Sequence, residues 1–303
     1  MKANVKTLHD LGIDTVEIHP KESMRITGEI FNNAIYDTLI FDFSETELSE
    51  YELLIITIVM GYFDNFAENV KRDYVVDGWK DIKEIYTVDQ FNLLRQDLFN
   101  IIGYNPEELL KTISTIYDFN KKEMMDKFGI TFSNKIDITS KELLARKLSE
   151  DLINLAHDYY RTFGQMINLN MNMTFEDLLK NLDKLKTDVS LVNKDGKSTK
   201  NLADRIKDIA RTNETVIKAQ AIFNTGLQLG LSKYNIITAR DSRVCLLCKE
   251  IEYNNPYEVT SGVLPAFHVD CRCIIEFINE KFTNNTFDID KFYDIWTKVW
   301  IQV

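Results

Sequence analysis

Asp241-Ser-Arg-Val-Cys245-Leu-Leu-Cys248, followed nineteen residues later by His268-Val-Asp-Cys271-Arg-Cys273, is the stretch around which the chain is organised. All four cysteines of the 303 residues, with one of the four histidines, lie within these thirty-three positions. A Cys-x-x-Cys pair closes a tight turn that presents two thiolates to one ion. His268-x-x-Cys271 supplies a second pair from a later segment, which is the donor pattern of a tetrahedral N/S site. Zinc is the expected metal, since soft thiolates with one imidazole suit it and its filled d shell imposes no competing geometry. The expected ligands are Cys245, Cys248, His268 and Cys271. Cys273, two residues past Cys271, is the alternative fourth ligand, read otherwise as a buried neighbour of the site.

Two disulfides would use the same cysteines, but they require an oxidising compartment. The opening Met1-Lys-Ala-Asn-Val-Lys6 lacks the apolar region of a secretory signal. A catalytic zinc keeps an open position, whereas five candidate donors here can fill all four. The nucleobase-deaminase order, His-x-Glu and then Pro-Cys-x-x-Cys, is not met, because the Cys-x-x-Cys comes first and Asp270 stands two after His268. A structural site is therefore expected, supplying about 10–16 kcal/mol of apparent binding energy to the folding of a small module. The alternatives are a zinc hydrolase or deaminase-like enzyme with Glu250 or Asp270 as base, and a zinc protein that binds nucleic acid.

Asp241-x-Arg243-x-Cys245-x-x-Cys248, a loop containing Gly262, and Pro265-x-x-His268-x-x-Cys271-Arg272-Cys273 together resemble the C-terminal signature of the phage head-morphogenesis family. These are the minor head proteins of tailed phages, a group that includes the minor head protein of phage Mu. The preceding Ala210-Arg211-Thr212-x-Glu214-Thr215, with Asn224 beyond it, is similar to that family's Arg-Thr-Glu-containing helix. The match covers roughly residues 200–278. Leu246 and Val269 stand where the family often has proline, which loosens the turns more than it alters the ligands. The resemblance implies a structural virion protein near the portal vertex, assembled in the host cytoplasm and needed for head assembly or DNA delivery. The portal and major capsid proteins are its implied partners, a homo-oligomer is compatible with it, and no enzymatic activity is implied.

Glycine (11) and proline (4) are scarce, which favours long uninterrupted helices. The expected class is mainly α (α+β), a multi-helix body with one long helix leading into a small zinc-bound β module. The net charge of −11 speaks against a protein that coats nucleic acid. Between Lys233 and Glu280, five basic side chains face seven acidic ones, so DNA contact is not indicated by charge. Leu53–Phe63 is an apolar run of eleven residues, short of the about twenty a membrane span needs, so no membrane partner is expected.

Five segments follow: an arm or small β segment at 1–43, a helical domain at 44–192, a connecting helix at 198–232, the module at 233–280 and an aromatic tail at 281–303. Ser44-x-x-Glu47 has capping-box spacing for a helix to about Arg72. Val88, Phe91, Leu94, Leu98 and Ile101 step helically toward a stop at Gly103. Asn105-Pro106-Glu107-Glu108 starts a helix to about Phe128. Thr139-x-x-Glu142 caps another that reaches about Gly164 and carries His157, read as a surface or interface histidine. Thr174-Phe-Glu-Asp177 caps a short one, and Met166, Met171 and Met173 around it are read as core fillers. Asn193–Lys200 reads as a linker. Arg211 and Glu214 are read as support residues, one of them tying the long helix to the module through Asp241 or Arg243.

Overall fold

The computed structural model describes residues 48–85, 104–128, 135–169 and 173–278, and over these the chain is mainly helical with one small sheet. The arm at 1–43, the Ser44–Glu47 box, the helix toward Gly103, Met171 and the tail at 281–303 lie outside the described residues. The elements run α1 (Glu50–Ile85), α2 (Pro106–Phe128), α3 (Lys135–Leu169), α4 (Phe175–Thr187), α5 (Leu202–Gln228), β1 (Lys233–Ile237), α6 (Leu246–Tyr253), β2 (Tyr257–Glu258) and β3 (Ile274–Phe277).

Helix starts follow local capping chemistry except where a buried partner overrides it. α1 is capped by Ser49 and Glu52: the Glu52 N–H donates to Ser49 Oγ (3.0 Å) and the Ser49 N–H to Glu52 Oε2 (2.7 Å). It continues to Ile85, beyond the expected end near Arg72. Asn105 opens α2 as expected, its Oδ1 accepting the N–H of Glu107 (3.1 Å). α3 begins at Lys135, so Thr139 and Glu142 lie inside the helix and do not cap it. The extra turn carries Asp137, which is buried and accepts hydrogen bonds from the Tyr117 hydroxyl (2.9 Å) and the Lys121 ammonium. The helix is extended by a buried charge seeking its partner, a force the capping pattern does not register. The box at Thr174 is present, with the Asp177 N–H on Thr174 Oγ1 (3.1 Å) and the Thr174 hydroxyl on Asp177 Oδ2 (2.7 Å).

The stretch 193–200, expected as a linker, is a closed turn. The Asn193 N–H reaches the Lys197 carbonyl (3.0 Å) and the Thr199 N–H the Leu191 carbonyl (2.7 Å). Asn193 Oδ1 gathers the N–H groups of Asp195 (3.1 Å) and Lys197 (2.9 Å). Gly196 at φ +74 supplies the left-handed residue that this turn needs.

The described residues divide into two compact units, one of residues up to Glu108 with Ser149–Lys207, the other of Leu109–Leu148 with Asp208 onward. The helical stretch read as one domain at 44–192 thus contributes to both. In the first unit, Phe66 of α1 meets Tyr159 and Phe163 of α3 edge to face, each with ring centroids 5.4 Å apart, and Phe63 meets Tyr159 at 4.9 Å. Each such pair adds about 0.5–1.5 kcal/mol to the burial of its rings. Lys186 of α4 pairs with the buried Asp64 of α1 at 2.6 Å. Burial raises the Asp64 carboxyl above its ordinary range, an effect the lysine only partly offsets.

The apolar character of α1 extends past the eleven residues read from sequence. The stretch Glu50–Val76 is long and apolar enough to cross a membrane by length and composition, and within it an 18-residue window of mean hydropathy 1.2 is 72% buried in the chain's own fold. Phe66, Ala67 and Val70 prolong the stripe and bury it.

The second unit contains the sheet, antiparallel in the order β2-β1-β3. Tyr234 lies opposite Phe277 and Ile236 opposite Ile275, and these four side chains point inward while their neighbours face out. Phe223 of α5 packs on Tyr234, with ring centroids 5.6 Å apart. Gly226 lets α5 approach, since a Cβ there would overlap the Phe277 ring. α5 also carries a buried polar network. Asn224 Nδ2 donates to Tyr117 Oη (2.7 Å) and Ser140 Oγ (2.7 Å), and Gln220 Nε2 donates to Asn224 Oδ1 (2.7 Å).

Candidate metal centre

The sheet, α6 and the loop before β3 bring every sequence-predicted donor together. Cys245 is the N-cap residue of α6, its Sγ accepting the Cys248 N–H at 3.4 Å, so the Cys-x-x-Cys turn is also the helix start. α6 and the loop after it are pinned to β1 and the segment beyond it. Glu252 accepts the Thr238 hydroxyl (2.7 Å). Asn255 bonds Ile236 through both amide atoms, accepting its N–H (2.8 Å) and donating to its carbonyl (2.7 Å).

His268 arrives from the second segment. Its Nε2 lies 3.3 Å from Cys245 Sγ and 3.0 Å from Cys248 Sγ, and Cys248 Sγ lies 4.0 Å from Cys271 Sγ. With metal–sulfur bonds of about 2.3 Å and metal–nitrogen bonds of about 2.0–2.1 Å, a tetrahedron has edges of roughly 3.8 Å between sulfurs and 3.5 Å between sulfur and nitrogen. These three separations lie within about half an ångström of such edges, and Cys271 approaches the first three donors through Cys248. The His268 Nδ1–H donates to the Val269 carbonyl (2.7 Å), which leaves the Nε2 lone pair facing the sulfurs. The residues present therefore fit a metal ion.

The donors fall into two groups that could hold a metal ion, Cys245/Cys248/His268 and Cys248/Cys271/Cys273, with Cys248 common to both. Cys273 lies on the same side of the chain as Cys271, as residues two apart in extended backbone do, and the alternation of buried and more exposed positions runs unbroken from Cys271 to Phe277. Cys248, Cys271 and Cys273 are buried among Leu227, Leu231, Tyr234, Ile236 and Ile275, while Cys245 and His268 are half-buried.

Electrostatics distinguish the sulfurs. The hydrogen bond from Cys273 holds the Cys271 thiol down at about 5, whereas acting as that donor pushes Cys273 far up. Burial raises Cys248 to about 12, and the Cys248 N–H lowers Cys245. The Val269 carbonyl raises His268, favouring its protonated form when no ion competes. Since the thiolate is the ligand, Cys271 is the better-prepared of the two neighbouring sulfurs.

Around the donors run two charged contacts. Asp241 accepts two hydrogen bonds from the Arg272 guanidinium (2.6 and 2.9 Å) and two from Arg243, one from its N–H (2.9 Å) and one from its guanidinium (3.2 Å), and these hold its carboxyl far below the usual range. Arg211 reaches Asp270 at 2.5 Å, and Glu214 pairs with Lys218 at 2.5 Å. The tie from α5 to the module is thus made by Arg211 through Asp270, with Asp241 and Arg243 engaged by Arg272 and by each other. Sequence reasoning passed over Thr212, Thr215 and Arg272 as working residues, although 211, 212 and 215 share one helical face at spacings of one and four. His157 is half-buried on α3 and its pKa is lowered, by burial first and then by Arg161. Met173 is buried and Met166 half-buried, as core fillers would be.

Compared with protein-family models, curated proteins and solved structures, the chain finds no match in any of the three.

Proposed function

We propose that this chain is a structural protein of a tailed-phage head, a minor head protein acting near the portal vertex, whose C-terminal module is built on a structural zinc ion. Cys245, Cys248, His268 and Cys271 are its ligands in this reading, with Cys273 donating a hydrogen bond to the Cys271 sulfur. The observation that carries the proposal is the convergence of the motif's donors in two overlapping groups that share Cys248, in the order that the head-morphogenesis signature has. Zinc follows from three sulfurs and one imidazole.

One feature supports a structural role over hydrolysis: the carboxylate of Asp270, one of two candidate bases, is engaged by Arg211. Portal and major capsid proteins are the proposed partners, and the net charge of −11 supports protein contacts over DNA contacts in this reading.

The test is deletion of the gene in a phage that carries it, with complementation by wild type and by a Cys245→Ser/Cys248→Ser double variant. The expected outcome is particles with defective heads or undelivered DNA, rescued by wild type alone. Fully infectious particles without the gene would refute the head-protein reading. One zinc per purified chain, measured by mass spectrometry, checks the metal separately.

A further inference from the structure

We propose that α5 forms the outer wall of the metal site, with Arg211, Thr212 and Thr215 as positioning residues that hold His268–Cys271 in its ligand-presenting shape and thereby set metal affinity. This rests on the metal reading above and adds residues that lie outside the donor set.

Three contacts converge on the four-residue loop. Arg211 donates to the Asp270 carboxylate (2.5 Å), the Asp270 N–H donates to Thr212 Oγ1 (3.0 Å), and the Thr215 hydroxyl donates to the Cys271 carbonyl (2.7 Å). The Thr212 hydroxyl spends its own proton on the Asp208 carbonyl (2.6 Å), which turns an oxygen lone pair toward Asp270. Thr215 is 8% exposed and Cys271 fully buried, so water does not readily replace that bond.

The loop needs such holding. Asp270, between the ligands His268 and Cys271, sits at φ +64, a left-handed conformation uncommon for residues with a side chain although Asp is among those that accept it. Released from α5, the segment would relax toward ordinary backbone angles and swing the His268 ring and the Cys271 sulfur apart. Contacts behind the ligands are the usual means of orienting them, and losing one commonly weakens metal affinity about 10- to 100-fold. By reciprocity, an ion on the ligands strengthens the hold of the loop on α5.

The experiment uses the full chain, with zinc affinity measured by chelator competition and cobalt uptake followed by its visible absorption. Thr212→Val and Thr215→Val should each weaken zinc binding by roughly tenfold or more and reduce the tetrahedral cobalt bands, with Thr215→Ser restoring the wild-type values. Thr225→Val is the control, since the buried Thr225 hydroxyl bonds only the Ala221 carbonyl of its own helix (2.7 Å); it should lower the unfolding temperature and leave affinity unchanged. Unchanged affinity in the Thr212 and Thr215 variants, with an unfolding loss like that of Thr225→Val, would make these contacts ordinary scaffolding and overturn the proposal. A wild type that takes up neither zinc nor cobalt would remove the metal reading itself, and the positioning role with it.

Discussion

The aromatic core of the first unit and the cysteine module of the second solve the same problem by different means. Phe63, Phe66, Tyr159 and Phe163 interlock on helices of 36 and 35 residues, where burial of large rings supplies the stabilisation. The module has strands of five, two and four residues and one eight-residue helix. Its ladders are too short to stand alone, and it is joined through side-chain hydrogen bonds, an Asp–Arg clamp and five converging metal donors. An element too small to bury enough apolar surface must be closed by directional contacts, and those depend on protonation and metal in a way that ring packing does not.

That contrast is broken most sharply by taking the metal away. With the proposed zinc bound, chelation should abolish hydrogen-exchange protection across residues 233–278 and leave α1 and α3 protected, because a structural zinc would contribute about 10–16 kcal/mol to its own module. Equal protection of the module with and without chelator would show it to be self-sufficient. Next in size is the reverse cut. Phe66→Ala should destabilise the first unit by about 3–5 kcal/mol in denaturant unfolding, while zinc stoichiometry stays at the wild-type value. Loss of zinc in that variant would mean that the two regions are not independent.

The smallest expected effect is one of pH. Hydrogen bonds from the Thr174 hydroxyl and N–H hold the Asp177 carboxyl below its ordinary value. A depressed acid pKa stabilises the fold above the unfolded value of about 3.9, and that contribution is lost as pH falls through the lower folded value. Asp177→Asn should therefore flatten the acid limb of α4 stability, read by exchange at Leu178 and Leu182, without altering the module. An unchanged acid limb would remove the cap from the account.

Much of this was legible from residue types. The boundaries of α2 and α4 follow from Asn105-Pro106 and Thr174-x-x-Asp177, since caps act through neighbours in sequence. The long helix was expected at 198–232 and spans Leu202–Gln228. Where sequence reading strayed, at the start of α3 and in the turn at 193–200, a distant or side-chain partner outweighed the local pattern. Asp137 is drawn into a helix by Tyr117 and Lys121, and Asn193 folds a polar run into a closed turn.

The metal-donor pattern was written in spacing alone, because two closely spaced donor pairs can serve one ion only if the chain brings them together. What the tertiary structure alone decided is how they meet. Cys271 and Cys273, two residues apart, share one side of the chain, and Cys248 of α6 meets them there. The helix that buttresses them does so through Asp270 and the Cys271 carbonyl, and not through Asp241. Hydrogen bonds to a backbone carbonyl or N–H carry no signature in residue type, so only the folded chain discloses them.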